Sequence, residues 1–112
     1  MISRLACVEL LAPAGNLEKA KTAFIFGADA AYLGVPDFSL RARINDFDNK
    51  KIEKIVKIAH EQKKKVYVTL NIFAHNRHIE KLPKHIKYLK SINVDAIIAS
   101  DPGVIETIKK NW

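Results

Sequence analysis

Short apolar runs and amphipathic stretches alternate four times along the 112 residues, and that alternation leaves few folds open. The first run is Val8-Glu9-Leu10-Leu11, closed by Ala12-Pro13-Ala14-Gly15, which reads as a buried strand entering a tight turn. Asn16 then caps a helix whose inner face is Leu17, Ala20 and Phe24, with Gly27 at its end. Ala30 to Gly34 is a second short strand. Ile52, Ile55, Val56 and Ala59 follow at helical spacing, with Lys51, Glu53, Lys54 and Lys57 off that stripe.

The third unit begins with Val66 to Asn71, where Val66, Val68 and Leu70 fall on one face and Tyr67, Thr69 and Asn71 on the other. The aliphatic face is expected to meet helices. Leu82, Ile86 and Leu89 mark the next helix, with Pro83 expected in its first turn. Ala96 to Ala99 is the fourth strand. Asp101-Pro102-Gly103 then starts a helix whose Val104, Ile105 and Ile108 are expected to face inward.

Strands separated by crossover helices pair in parallel. Two architectures share the pattern, a doubly wound open sheet and an eight-unit barrel of about 250 residues. A dinucleotide-binding sheet would carry GxGxxG after its first strand, whereas the turn here is APAGN, with one glycine and a proline. The fold expected is therefore α/β, four β/α units with a parallel sheet, half of a TIM-type (β/α)8 barrel. Residues 1–112 form one partial domain, expected to be too short to work alone as an enzyme. An isolated copy would expose two sheet edges and its apolar inner face, so association with a second copy or a complementing C-terminal half is expected.

Composition narrows the function classes. With 48% hydrophobic and 28% charged residues, the chain has the make-up of a folded protein rather than a disordered one. Its apolar runs fall well short of the ~20 residues a membrane span needs, and its start lacks a cleavable signal pattern, so a cytoplasmic location away from membranes is expected. Cys7 is the only cysteine, which rules out an internal disulfide or a thiolate cage within these residues. The formal charge of +7 favours phosphate-bearing partners, although runs such as Lys63-Lys64-Lys65 read more readily as solvated helix ends.

Four segments, ELLAPAGNLEKAKTAFIFGADAAYLG, FSLRAR, KVYVTLNIFAHN and DAIIASDPGVI, resemble in order and spacing the N-terminal barrel half of the peptidase U32 family. The resemblance covers Val8 to about Lys110. The family is labelled for collagenase-like peptidases, while members it includes act in hydroxylating tRNA, ribosomal RNA or ubiquinone; NIFAHN looks most like the tRNA uridine-hydroxylation branch. That implies tRNA or another RNA as partner. It also implies an iron–sulfur cluster in the full-length protein, held by a cysteine signature that is absent from these residues. The sequence departs from the family pattern at Ile44-Asn45-Asp46-Phe47, where relatives often place Asn directly before Phe.

Barrel chemistry gathers at the C-terminal ends of strands, here Pro13–Gly15, Gly34–Arg43, Asn71–Asn76 and Ser100–Gly103. Glu9 interrupts an apolar run, and a carboxylate inside a barrel is either ligand-facing or ion-paired. Asn71 could hydrogen-bond a reacting carbonyl or amide, and His75 could transfer a proton near neutral pH. These three are the catalytic candidates. Arg41 and Arg43, in a long loop from Val35 to Asp48, fit an anionic cosubstrate or an RNA phosphate, with pairing to a neighbouring acid as the alternative. Tyr32 and Asp101 complete the substrate-binding candidates, Asp101 being first of all a helix cap. His60, His78 and His85 read as helix-surface residues. No Ser/His/Asp set or HExxH motif is present to support proteolysis.

Overall fold

The computed structural model describes residues 8–34, 49–70 and 76–112. Eight elements alternate along them: β1 (Leu11–Pro13), α1 (Leu17–Ile25), β2 (Ala30–Gly34), α2 (Asn49–Glu61), β3 (Lys65–Thr69), α3 (Asn76–Ser91), β4 (Ala96–Ile98) and α4 (Pro102–Asn111). The strands form one parallel sheet in the order β1-β2-β3-β4. Sequential order is what successive right-handed crossovers on a single face produce.

The helices do share one face. Ala31, Leu33, Val66, Val68 and Leu70 join Ala20 and Phe24 of α1, Ile52, Ile55, Val56 and Ala59 of α2, Leu82, Ile86 and Leu89 of α3 and Val104 of α4 in a single buried cluster. The opposite face is set by register: Pro13 pairs with Tyr32, Tyr32 with Tyr67, and Tyr67 with Ala96. Tyr32, Tyr67 and Thr69 are half-buried there, on the face away from the helical cluster of the described residues. Four β/α units with a parallel sheet and one helical layer are the arrangement of half a (β/α)8 unit.

The turn from helix to strand is built the same way three times. Gly27, Lys63 and Asn93 have φ of 103°, 58° and 66°. The next amide in each case reaches back five residues, Ala28 N–H to the Ala23 carbonyl at 2.9 Å, Lys64 to Ala59 at 2.8 Å and Val94 to Leu89 at 3.2 Å. This is the Schellman closure, in which a left-handed residue lets the last turn satisfy its own carbonyls. At the other ends, Asn16 Oδ1 accepts from Lys19 N–H at 2.8 Å and Asp101 Oδ2 from Val104 N–H at 3.0 Å.

Four local expectations are corrected. The first strand lies at Leu11–Pro13 rather than Val8–Leu11, and Val8 and Leu10 are 68% and 50% exposed. The cause is Asp29, whose carboxylate takes the Leu10 N–H at 2.8 Å and so replaces a ladder bond below Leu11. Pro13 is tolerated in the strand because Ala14 N–H donates inward to the Tyr32 carbonyl, so by alternation the position of the missing Pro13 donor faces the open edge. Pro83 is interior to α3, not in its first turn, since that helix already starts at Asn76. The buried stripe of Leu82, Ile86 and Leu89 outweighs the hydrogen bond that a mid-helix proline removes. Ile105 is 38% exposed, because the α4 face that meets the core centres on Val104. The third strand also opens at Lys65 and ends at Thr69, a one- to two-residue shift from the Val66–Asn71 expected.

Candidate functional site

All four strands point the same way, so their C-terminal ends form one rim: Pro13, Gly34, Thr69 and Ile98. From that rim leave the segments 35–48 and 71–75, which hold Arg41, Arg43, Asn71 and His75. Those four candidates lie outside the described residues; the structure fixes the strand ends from which their segments depart. Asp101 stands on the same rim, three residues past β4, with its carboxylate engaged in capping α4. Tyr32 sits below the rim on the helix-free face, in register with Tyr67.

Glu9 occupies the other end of the sheet. Its Oε1 accepts a 2.6 Å hydrogen bond from the Tyr67 hydroxyl, and its Oε2 lies 3.9 Å from Lys65 Nζ. Lys65 opens β3, five residues before Leu70, or roughly 16 Å along a strand at about 3.3 Å per residue. The structure therefore brings Glu9 to Tyr67 and Lys65, and not to Asp101 or to the strand ends where the segments of Asn71 and His75 begin. Of the two roles open to an interior carboxylate, the contacts seen are those of an ion pair with a hydrogen bond. The short O–H···O bond is charge-assisted, while the ion pair, with Lys65 57% exposed, contributes little.

The same contact sets the chemistry of the phenol. Tyr67 is pushed up to about 12 from its ordinary 10.0, first by donating to Glu9, then by burial and by the negative charges of Glu9 and Asp95. A neutral phenol is thus held in place as a donor across the middle of the helix-free face.

Two acids do structural work that the sequence reading did not single out. Asp29 and Asp95 each stand two residues past a left-handed helix end and just before a strand, in the repeated settings Ala28-Asp29-Ala30 and Val94-Asp95-Ala96. Each accepts a backbone amide of the preceding strand region at 2.8 Å, Leu10 for Asp29 and Val66 for Asp95. Asp95 Oδ2 also meets His60 Nε2 at 2.9 Å, so His60 is tied to the sheet rather than simply solvated. The recurring small-Asp-Ala pattern was the available signal.

Among the described residues no three His, Cys, Asp or Glu side chains gather as a metal site, and no helix is long and apolar enough to cross a membrane. An iron–sulfur cluster bound through thiolates needs several cysteines, and this sequence has one, Cys7, so these residues do not fit such a group on their own.

A parallel α/β sheet with one helical layer and its strand ends collected on one rim, the arrangement of half a (β/α)8 unit, is the class that the fold defines. The chain belongs to Peptidase family U32, whose family model matches residues 15–112. It is 45% identical over 102 residues, 91% of its length, to the tRNA hydroxylation protein P1 of Bacillus subtilis, of which it covers 24%. It is 37% identical over 99 residues, 88% of its length, to an Escherichia coli protein named as a 23S rRNA 5-hydroxycytidine synthase, covering 15% of it. A protein of Porphyromonas gingivalis named Collagenase is 33% identical over 94 residues, 83% of the chain and 23% of that relative. The chain thus spans about a quarter or less of the length of these relatives.

Proposed function

We propose that these residues form the first half of the barrel of a protein that acts in tRNA uridine hydroxylation. The observation that carries this reading is the 45% identity to a tRNA hydroxylation protein across nine-tenths of the chain. It is supported by similarity to a second RNA-modifying protein. An RNA substrate accords with the excess of cations and with a cytoplasmic location.

In this reading the rim is the working edge. Arg41 or Arg43 grips an anionic cosubstrate or an RNA phosphate, since a guanidinium fork matches both bidentately. Asn71 orients the reacting group, and His75 holds or passes a proton. Tyr32 lines the floor beneath them, Asp101 fixes the α4 start at the rim, and Glu9 with Tyr67 and Lys65 closes the far end. Any iron–sulfur cluster is held by residues outside this sequence. The open edges of β1 and β4 are closed by further strands, from a complementing C-terminal half or from a second copy.

Deleting the gene and measuring tRNA nucleosides by mass spectrometry tests the proposal, which expects hydroxyuridine to vanish and to return with a plasmid copy. The likeness to a protein named Collagenase favours a second reading, peptide hydrolysis. Retained hydroxyuridine, together with cleavage of denatured collagen by the full-length protein, would establish that reading instead.

A further inference from the structure

The positive charge of this chain is not evenly spread. Residues 49–91, which make up α2, β3 and α3, contain twelve Lys and Arg and three Asp and Glu, whereas the rest of the sequence contains seven and nine. A net charge of +9 in one segment faces −2 in all the others. On the described helices that charge is outward: Lys54 and Lys57 of α2, Lys63 at its end, and Lys84 and Lys87 of α3 are exposed. None of these five makes an ion pair among the described residues, whereas Lys21 of α1, Lys65 of β3 and Lys110 of α4 each do.

The two helices also frame a recess. Glu53, Val56, Lys57, His60 and Glu61 of α2 face Ser91, Ile92 and Asn93 at the end of α3 across a cleft of about 520 Å³. Glu53 and Glu61 oppose an anion within the cleft, so the attraction lies along its lysine-bearing flanks. Lysines on adjacent helices, with few acids between them, are suited to a polyanion whose charges recur along a strand, and each neutralised phosphate releases counterions.

We propose that the outer surface of α2 and α3, with Lys54, Lys57, Lys63, Lys84 and Lys87, is the contact surface for the phosphate backbone of the RNA. This rests on the reading of the protein as RNA-modifying. It assigns the helical layer, rather than the rim alone, to substrate binding. The surface positions the RNA without reading its bases, because ammonium groups meeting phosphates carry no sequence information.

The test is binding of the full chain to an unmodified tRNA transcript across a salt series. A fourfold variant, Lys54→Gln with Lys57→Gln, Lys84→Gln and Lys87→Gln, is compared with a control, Lys19→Gln with Lys21→Gln, Lys109→Gln and Lys110→Gln, which removes the same charge from α1 and α4. The expected result is at least tenfold weaker binding for the first variant and a salt slope shallower by about 3, at roughly 0.7 per phosphate contact, with the control within about threefold of the parent. All substituted side chains lie on helix surfaces, and circular dichroism confirms that both variants fold. Equal losses in the two variants, no loss in the first, or tighter binding to phosphatidylserine vesicles than to tRNA would each overturn the assignment. Because the readout is binding, its failure is distinct from failure of the hydroxylation reading, which the nucleoside measurement decides.

Discussion

The Tyr67 hydroxyl donates to Glu9 Oε1 at 2.6 Å, joining the middle of β3 to the residues before β1 across the helix-free face. The two are 58 positions apart in sequence. This bond holds the first strand against the third without the aid of a helix.

Its signature is spectroscopic. Tyr67 ionises at about 12 rather than 10.0, so in the folded chain one tyrosinate absorbance step is displaced upward. Replacing Glu9 by Gln should move that step back toward the ordinary value, and Tyr67→Phe should remove it. The sign for stability follows from a folded value raised above the unfolded one: the contribution is complete below pH 10 and is lost as pH rises through about 12. Denaturation midpoints of the parent should fall over that window more steeply than those of Tyr67→Phe. Identical pH profiles would show that the bond is not made in solution.

Asp95 should be worth more than a surface acid. Its Oδ2 serves both the N–H of buried Val66 and His60 Nε2, and truncation strands a backbone donor inside the sheet. Asp95→Ala is expected to lower unfolding stability by about 2 kcal/mol. His60→Ala, which leaves the Val66 contact intact, should lower it by less than half as much. Urea titration of the two variants measures both.

Lys63 offers a gain. With φ of 58° it sits in the left-handed region that Gly27 fills at the corresponding turn of α1. Lys63→Gly removes the steric penalty of a side chain there, offset in part by the greater freedom of glycine in the unfolded chain. A net stabilisation of about 0.5 kcal/mol is expected, seen as a higher denaturation midpoint. Gly27→Ala should move the midpoint the other way by about 1 kcal/mol.

The interior of the helical layer sets the scale for these effects. Ile55 is fully buried between α2 and the sheet, and Ile55→Ala should reduce stability by about 2–5 kcal/mol, the range for a core truncation. A loss under 1 kcal/mol in calorimetry or denaturant titration would mean that α2 does not pack on β3 as described.

The helices were legible in the sequence because burial imposes their period: Ile52, Ile55, Val56 and Ala59, chosen by spacing alone, are all buried. Caps were legible for a similar reason, since Asn16 and Asp101 act on amides three residues away. The start of the sheet was not, because Val8 to Leu11 is as apolar as a strand, and its limit is set by Asp29, nineteen positions on from Leu10. The same distance problem hides the partners of Glu9. Its position in an apolar run announced a carboxylate needing compensation, but not that Tyr67 and Lys65 supply it at the end of the sheet away from the rim. The rim itself was legible as a geometric consequence of parallel strands, and the alternation of β and α established those.

The most direct test is a chimera. Residues 8–110 of this chain replace the matching segment of the Bacillus subtilis tRNA hydroxylation protein P1, and tRNA nucleosides are measured by mass spectrometry in a strain lacking that protein. If the chain is the first barrel half of a tRNA hydroxylation protein, hydroxylated nucleosides return. A soluble, folded chimera that leaves tRNA unhydroxylated would contradict the account.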